Sequence, residues 1–269
     1  MPKAKVNGIN INYKVQGKGE PLILISGYAA DQTGYMFQTR TFKKYYRVVT
    51  FDNRGVGKTD KPSGAYSIKT MADDTVGLMD YLGIEKSHIL GISMGGMIAQ
   101  VIAINYPERI NKLILASTFA RSDESSGFSA EFYELLGLRE SYTNDDTKSV
   151  PILRIADTLL SLALNKTLYR AILLPIGKIL VRLNGAAGLI GQWEAILNHN
   201  VVEGLPKINV PTLVIVGNKD REHKRTSSEV IAKLIPNSRL VKVESGSHWL
   251  SMEMSGRFNK EVLDFLRDR

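Results

Sequence analysis

The chain contains no cysteine among its 269 residues. This absence excludes disulfide bonds, a thiol nucleophile and cysteine-ligated metal sites. Histidine is also scarce, with four residues, and the sequence has neither an H-E-x-x-H pattern nor a close cluster of His and Asp. We therefore expect no metal site and no cofactor.

Long apolar runs are missing as well. No uncharged segment is long enough to span a bilayer, and residues 1–20 lack the apolar stretch of a signal peptide, so we expect no membrane span and a cytoplasmic location. The chain is basic, with 35 Lys and Arg against 27 Asp and Glu and a net charge of +8. Because the basic residues are scattered and not interleaved with aromatic ones, we expect no nucleic-acid partner. Whether the protein is a monomer or a homodimer is left open.

A glycine-containing segment at residues 55–59, GVGKT, resembles part of a phosphate-binding loop. Such a loop requires a further glycine at position 52, which is Asp52, and a helix directly after the segment. Asp60 and Pro62 predict a turn there instead, because both residue types favour turns. We therefore expect no nucleotide phosphate at this segment.

Apolar runs alternate with helical patterns along most of the chain. A weak hairpin pattern at 6–15 is followed by apolar runs at 22–26, 46–52, 88–92, 113–116, 212–217 and 239–243, and helical spacing occurs at 67–82, 94–106, 227–234 and 256–266. Strands and helices that alternate through short connections are typical of a doubly wound sheet. The sequence therefore predicts an α/β fold with a mostly parallel sheet.

The alternation stops after Ser117 and resumes at Pro211, and the patterns between Ala120 and Pro206 are helical or loop-like. This interruption predicts a helical cap inserted after the sixth strand. We expect three segments: a first part of the core at 1–119, the cap at 120–206 and a second part of the core at 207–269.

Residues 91–95 read G-x-S-x-G, with Ser93 at the centre. An apolar strand precedes the motif and a helix follows it, so Ser93 is predicted to lie on a tight strand-to-helix turn with its hydroxyl exposed at the top of the sheet. The start of the helix offers free N–H groups where negative charge would develop. Ser93 is the candidate nucleophile.

A serine hydroxyl needs an adjacent base at neutral pH. His248 follows the last predicted strand, at the sheet edge where Ser93 is expected. Of the other histidines, His88 begins the strand of Ser93, His199 lies in the insertion, and His223 lies in a charged stretch interpreted as a solvated loop. His248 is therefore the candidate base.

The base needs a carboxylate that fixes its tautomer. Asp220 ends the strand-loop segment TLVIVGNKD, one strand before the histidine, and the order Ser, Asp, His is the one found on this architecture. Asp123, which follows the sixth predicted strand, is a less favoured alternative.

With these motifs the chain resembles the α/β-hydrolase superfamily, and it is most similar in character to small carboxylesterases, enol-lactone hydrolases and cofactor-free haloperoxidase-like enzymes. The segments LILISGYAAD, FDNRGVGKTD, GISMGGMIAQ, VGNKD and GSHW carry the resemblance. It implies a sheet of about eight strands and an oxyanion hole formed by the backbone N–H groups of Tyr28 and Met94. Ser26 replaces the histidine usual in the family, so the loop is held differently.

Serine at position 93 argues against epoxide opening and halide displacement, for which relatives carry aspartate. We expect a serine hydrolase that cleaves an ester or lactone with an apolar acyl or alcohol group, contacted by Tyr28, Phe128, Trp193 and Trp249. The alternatives are a perhydrolase or C–C bond hydrolase with the same triad and, from another class, a small-molecule receptor or inactive homologue. In each case the partner is a small molecule.

Overall fold

The computed structural model describes residues 2–122, 186–220 and 222–268. Eight strands form one sheet in the order β1-β2-β4-β3-β5-β6-β7-β8. They are β1 (Lys3–Val6), β2 (Ile9–Gln16), β3 (Pro21–Ile25), β4 (Arg47–Phe51), β5 (Ser87–Ile92), β6 (Ile110–Ala116), β7 (Thr212–Gly217) and β8 (Ser238–Val243). Pairing is antiparallel for β1 with β2 and for β2 with β4, and parallel from β4 to β8. The predicted fold class is confirmed.

Helices cover both faces of this sheet. They are α1 (Met36–Phe42), α2 (Ile68–Tyr81), α3 (Met94–Asn105), α4 (Ala186–Leu197), α5 (Glu222–Leu234), α6 (Leu250–Glu253) and α7 (Ser255–Arg267), with 3-10 turns at Gln32–Tyr35, Pro107–Arg109 and Val202–Lys207. Among the described residues, no helix combines the length and the apolar character needed to cross a membrane.

The central strands are apolar throughout because both of their faces are buried. In β3, Ile23 and Ile25 belong to the core layer that contains α2 and α3, whereas Leu22 and Leu24 belong to the layer that contains α1 and α7. The side chains alternate between faces with the period of a strand. This double burial explains why the sequence shows continuous apolar runs rather than alternation.

The helix boundaries follow local signals where those signals are strong. Ser67 caps α2, since its hydroxyl accepts the Thr70 N–H at 2.9 Å, and Gly83 follows the helix with a φ of +63°, as the sequence predicts. Helix α5 begins at Glu222 rather than at Ser227, so the expected solvated loop around His223 is wrong. Glu, Lys and Arg are good helix formers, and they extend the helix toward its N-terminus.

The insertion follows β6, as predicted, and its two ends meet. Arg121 and Asn200 form an isolated antiparallel bridge. On either side, the Ser122 N–H donates to the His199 carbonyl at 2.9 Å and the Val201 N–H donates to the Ala120 carbonyl at 2.8 Å. The predicted domain boundaries at 119/120 and 206/207 stay predictions.

Candidate active site

Ser93 lies between β5 and α3 on a strained turn. Its φ of 55° and ψ of −119° are unusual for a residue with a side chain, and such strain concentrates at functional sites. The turn is tight because α3 approaches β3 at the backbone: a Cβ atom on Gly95 would lie 1.9 Å from the Ile25 carbonyl oxygen. The Ser93 N–H donates to the Ala116 carbonyl at 2.9 Å, and the Thr118 hydroxyl donates to the Ser93 carbonyl at 2.7 Å. The turn therefore packs against β3 and is hydrogen-bonded to β6 and the residue Thr118 after it, and the Ser93 side chain is half-buried.

Asp220 and His248 come together from the loops that follow β7 and β8. Their Oδ2 and Nδ1 atoms are 3.0 Å apart, and the exposed fraction of the side chain is 0% for Asp220 and 17% for His248. A buried carboxylate at Nδ1 favours the tautomer that carries its proton there, which leaves Nε2 as a proton acceptor. The arrangement has the form of an acid–base pair at the carboxyl edge of the sheet, the same edge at which β5 delivers Ser93.

Hydrogen bonds hold the Asp220 and His248 loops together. The Asn218 Oδ1 atom accepts the Ser245 N–H at 2.7 Å, and the Lys219 N–H donates to the Gly246 carbonyl at 2.8 Å. Ser245 has a φ of 61°, so its bend needs support from outside the residue. The two loops are thus joined by hydrogen bonds in addition to the contact between Asp220 and His248.

The residue before His248 is also fixed. The Ser247 hydroxyl donates to a Glu253 carboxylate oxygen at 2.6 Å and accepts the Trp249 N–H at 3.1 Å. These bonds attach the histidine loop to α6, which the sequence did not predict. The orientation of His248 therefore depends on the helix that follows it.

The loop after β3 passes directly beside Ser93. A Cβ atom on Gly27 would lie 3.3 Å from Ser93 Cβ and 3.9 Å from its Oγ. The next residue is Tyr28, whose N–H the family resemblance assigns to an oxyanion hole. Met94 is the first residue of α3, so its N–H is among those that an α-helix leaves without an intrahelical acceptor.

The predicted substrate-contacting residues separate into two groups. Tyr28 and Trp193 pack edge to face, with ring centroids 5.6 Å apart, and burial raises the pKa of the Tyr28 hydroxyl above its ordinary value. Trp249 packs against His248 at 6.2 Å between centroids. Phe128 lies outside the described residues, as does Asp123. All four substrate contacts stay predictions.

Two other histidines are not part of this pair. His88 is near the start of β5, at the opposite end of the strand from Ser93, and its Nε2 lies 3.2 Å from a Glu20 oxygen. His199 is buried at the base of the insertion, and burial lowers its pKa to about 4. Among the described residues, no group of three or more His, Asp and Glu side chains could hold a metal ion.

Two further residues at this edge could not be identified from any pattern in the sequence. Asn218 supports the His248 loop through its side chain, and Gln192 contacts the loop of Tyr28 from the insertion. Both bonds join side chains to backbone groups far away along the chain, which no local motif encodes.

Comparison with known proteins gives a consistent result. A family model described as the alpha/beta hydrolase fold matches residues 20–254. The chain is 26% identical over 272 residues to a putative carbamate hydrolase, RutD, of Azorhizobium caulinodans, covering 98% of each chain. It is 27% identical over 262 residues to 3-oxoadipate enol-lactonase 2 of Acinetobacter baylyi, covering 94% of this chain and 92% of that protein. The crystal structure of an enol-lactonase from Burkholderia xenovorans superimposes with a TM-score of 0.88 at 26% identity, covering 99% and 100% of the two chains.

Proposed function

This chain belongs to the α/β-hydrolase family of enzymes, and from that premise we propose that it is a serine hydrolase that cleaves a carboxylic ester or a lactone. The observation that carries the proposal is the 3.0 Å contact between His248 Nδ1 and the buried Asp220 carboxylate. It lies at the sheet edge where the strained turn presents Ser93. A nucleophile, a base and an orienting carboxylate are the groups that acyl transfer needs.

In the proposed reaction, the Ser93 hydroxyl attacks the carbonyl carbon and His248 takes its proton at Nε2. Asp220 accepts the Nδ1 hydrogen bond and stabilises the imidazolium that forms. The histidine then gives its proton to the leaving oxygen, which leaves an acyl-enzyme on Ser93. Water, activated by the same imidazole, releases the acid and restores the serine.

The negative oxygen of the tetrahedral intermediate is assigned to the backbone N–H groups of Tyr28 and Met94. Supporting this assignment, the loop of Tyr28 runs beside Ser93 through the Gly27 contact, and Met94 opens α3. Because the donors are backbone groups, Ser26 in place of a histidine does not remove them. Preorganised donors of this kind typically contribute factors of about 10² to 10³ in rate.

The aromatic rings at the site favour a substrate with an apolar acyl or alcohol group. Tyr28 and Trp193 form one contact pair and Trp249 adjoins the proposed base. Aromatic side chains bury large apolar areas of a ligand. We expect turnover of p-nitrophenyl esters to rise with acyl chain length, and no preference for apolar over charged esters would contradict this part of the proposal.

Carbamate hydrolysis is the second candidate, because a relative over the full length of the chain carries that name. The same serine, base and oxyanion donors would act on a carbamate carbonyl. A panel of esters, lactones, carbamates and C–C cleavage substrates, each with and without peroxide, separates these possibilities. The highest kcat/KM identifies the reaction.

The central experiment is labelling with a fluorophosphonate followed by turnover of activated esters. We expect Ser93→Ala to abolish labelling and to reduce kcat by at least about a thousandfold. Ser63→Ala, at an exposed turn residue, is the matched control and should behave like the wild type. Full turnover by Ser93→Ala would disprove the mechanism, and a wild type that neither labels nor turns over would favour the receptor or inactive homologue.

A further inference from the structure

We propose that Gln192, on α4 of the insertion, is a positioning residue that holds the oxyanion-hole loop in its working conformation. The inference rests on the proposed function, since it concerns the loop that carries the Tyr28 N–H. Gln192 links two parts of the molecule that are far apart along the chain, the insertion and the turn beside Ser93.

Gln192 is fully buried, and both ends of its carboxamide have backbone partners. Its Oε1 accepts the Ala29 N–H at 3.0 Å, and its Nε2 donates to the Arg54 carbonyl at 2.9 Å. The two partners fix the orientation of the amide, because an N–H can only donate and a carbonyl can only accept. One side chain therefore joins the loops that follow β3 and β4.

The turn that Gln192 contacts has an unfavourable residue at its third position. The Ala30 N–H donates to the Gly27 carbonyl at 3.3 Å, which makes residues 27–30 a β-turn. Ala29 has a φ of 59°, whereas Tyr28 is not among the residues with positive φ. A positive φ at the third position only is the type II pattern, which strongly favours glycine there. Alanine is strained in this position.

Rotation of one peptide would relieve the strain, and the hydrogen bond to Gln192 opposes that rotation. If the peptide between Tyr28 and Ala29 rotated by half a turn, the β-turn would become type I and Ala29 would return to negative φ. The Ala29 N–H belongs to that same peptide, and Gln192 holds it. The carboxamide thus maintains the conformation that alanine alone disfavours.

This peptide matters because the proposed oxyanion donor belongs to the peptide directly before it. The Tyr28 N–H precedes it in the same turn, and the turn adjoins Ser93 through Gly27. Hydrogen bonds weaken steeply as their angle departs from linear, and small errors of position at a reacting centre lower rates strongly. Release of the peptide would therefore weaken the hole without removing any donor.

Helix α4 is itself placed by close backbone contact. A Cβ atom on Gly188 would lie 2.0 Å from the Gly55 carbonyl oxygen, and one on Gly191 would lie 2.8 Å from the Tyr66 ring. The helix therefore rests directly on the turn that contains the Arg54 carbonyl. Gln192 therefore reaches Ala29 from a helix that is itself fixed by close packing.

The first test replaces Gln192 by methionine, which keeps the unbranched shape and removes both polar groups. We expect kcat to fall ten- to a hundredfold while KM changes less than about threefold. Thr75→Val is the control, because Thr75 is also fully buried and its hydroxyl donates to the Met71 carbonyl within α2 at 2.9 Å. The control loses a buried hydrogen bond away from the site and should keep its kcat.

The second test adds Ala29→Gly to Gln192→Met. Glycine accepts positive φ without strain, so the double variant should recover at least half of the lost kcat on a logarithmic scale. A role of Gln192 in packing alone predicts no recovery. Unchanged kcat in a folded Gln192→Met variant, or no recovery in the double variant, would overturn the inference.

A third measurement needs only the wild type. The Ala29 amide should exchange with solvent as slowly as amides of the central strands, and rapid exchange would overturn the inference even if Gln192→Met does not fold. If the wild type turns over no ester at all, the proposed function fails, whereas the Ala29 amide still decides whether Gln192 holds the loop.

Discussion

The turn at Ser93 and the loops of Asp220 and His248 lie at one edge of the same sheet, but they are held by different forces. The serine turn is fixed by backbone atoms in contact, since a single added carbon at Gly95 would lie 1.9 Å from the Ile25 carbonyl oxygen. The loops of Asp220 and His248, here called the acid–base loops, depend on polar bonds made by side chains, such as the one that the Asn218 side chain accepts from the Ser245 N–H. The two acid–base loops also make a close backbone contact with each other, between Gly217 and Gly246.

The difference determines how each region responds to change. A contact between backbones tolerates no additional atom, because the nearest neighbours cannot rotate away. A hydrogen bond in partly exposed surroundings can be lost at modest cost, since water replaces the missing partner. We therefore expect an all-or-none response at the serine turn and a graded one at the acid–base loops.

The largest effect is expected for Gly95→Ala. The added methyl group collides with the Ile25 carbonyl, and we expect a loss of more than about 3 kcal/mol in the free energy of unfolding, measured by urea denaturation. Gly256→Ala is the matched control, because a Cβ atom there meets nothing within 4 Å and alanine favours the helix. A Gly95→Ala protein as stable as the wild type would remove the distinction between the two regions.

The next effect is catalytic and concerns Asp220→Asn. The amide can no longer fix the His248 tautomer, so we expect kcat for esters to fall by about 10⁴ while the urea midpoint changes little. Asp264→Asn, at an exposed carboxylate paired with Lys260, should leave kcat unchanged. If Asp220→Asn retained its kcat, the acid–base loops would have no part in the reaction.

Lowering the pH tests the segment around His199, where the two ends of the insertion are hydrogen-bonded to each other. The His199 pKa is lowered from 6.5 to about 4 by burial, so between these pH values the unfolded chain binds a proton that the folded chain does not. Stability from this group is complete above pH 6.5 and is lost as the pH falls, by about 3 kcal/mol at pH 4. Urea unfolding of the wild type and His199→Gln from pH 7 to 4 should show the wild type losing more. Parallel pH curves would contradict the expectation.

The smallest effect is expected for Asn218→Ala. It removes one exposed hydrogen bond to Ser245, so stability should fall by about 1 kcal/mol or less. We expect kcat to fall three- to tenfold, because the His248 loop is held less firmly. Asn198→Ala removes a comparable exposed bond to the Glu194 carbonyl and should not change kcat. Equal kcat in the two variants would show that Asn218 has no positioning role.

Much of the fold was predictable because the core strands are buried on both faces. The residues of β7, for example, are all buried, and such strands appear in the sequence as uninterrupted apolar runs. Ser93 could be located because its motif stands between a clear strand and a clear helix. Asp220 and His248 could be paired because each follows a strand that ends at the same edge, and the structure brings them within hydrogen-bond distance.

The rest was not predictable because it depends on contacts between distant backbone groups. Gln192 bonds to Ala29 and Arg54, which lie 163 and 138 residues away, and nothing in its neighbourhood marks it as different from an ordinary helical glutamine. The short helices α1 and α6 give too few turns for a periodic pattern. Their ends are set by tertiary packing rather than by local sequence.

The paired ends of the insertion have a consequence for how such a protein can diversify. Because Arg121 and Asn200 lie side by side, the chain leaves and rejoins the core at one point on its rim. Doubling the length of the intervening chain would cost only about 0.6 kcal/mol of closure entropy. Foreign segments could therefore be inserted between Arg121 and α4 to change selectivity without rebuilding the sheet, provided that α4 keeps its place and the Gln192 carboxamide still reaches Ala29.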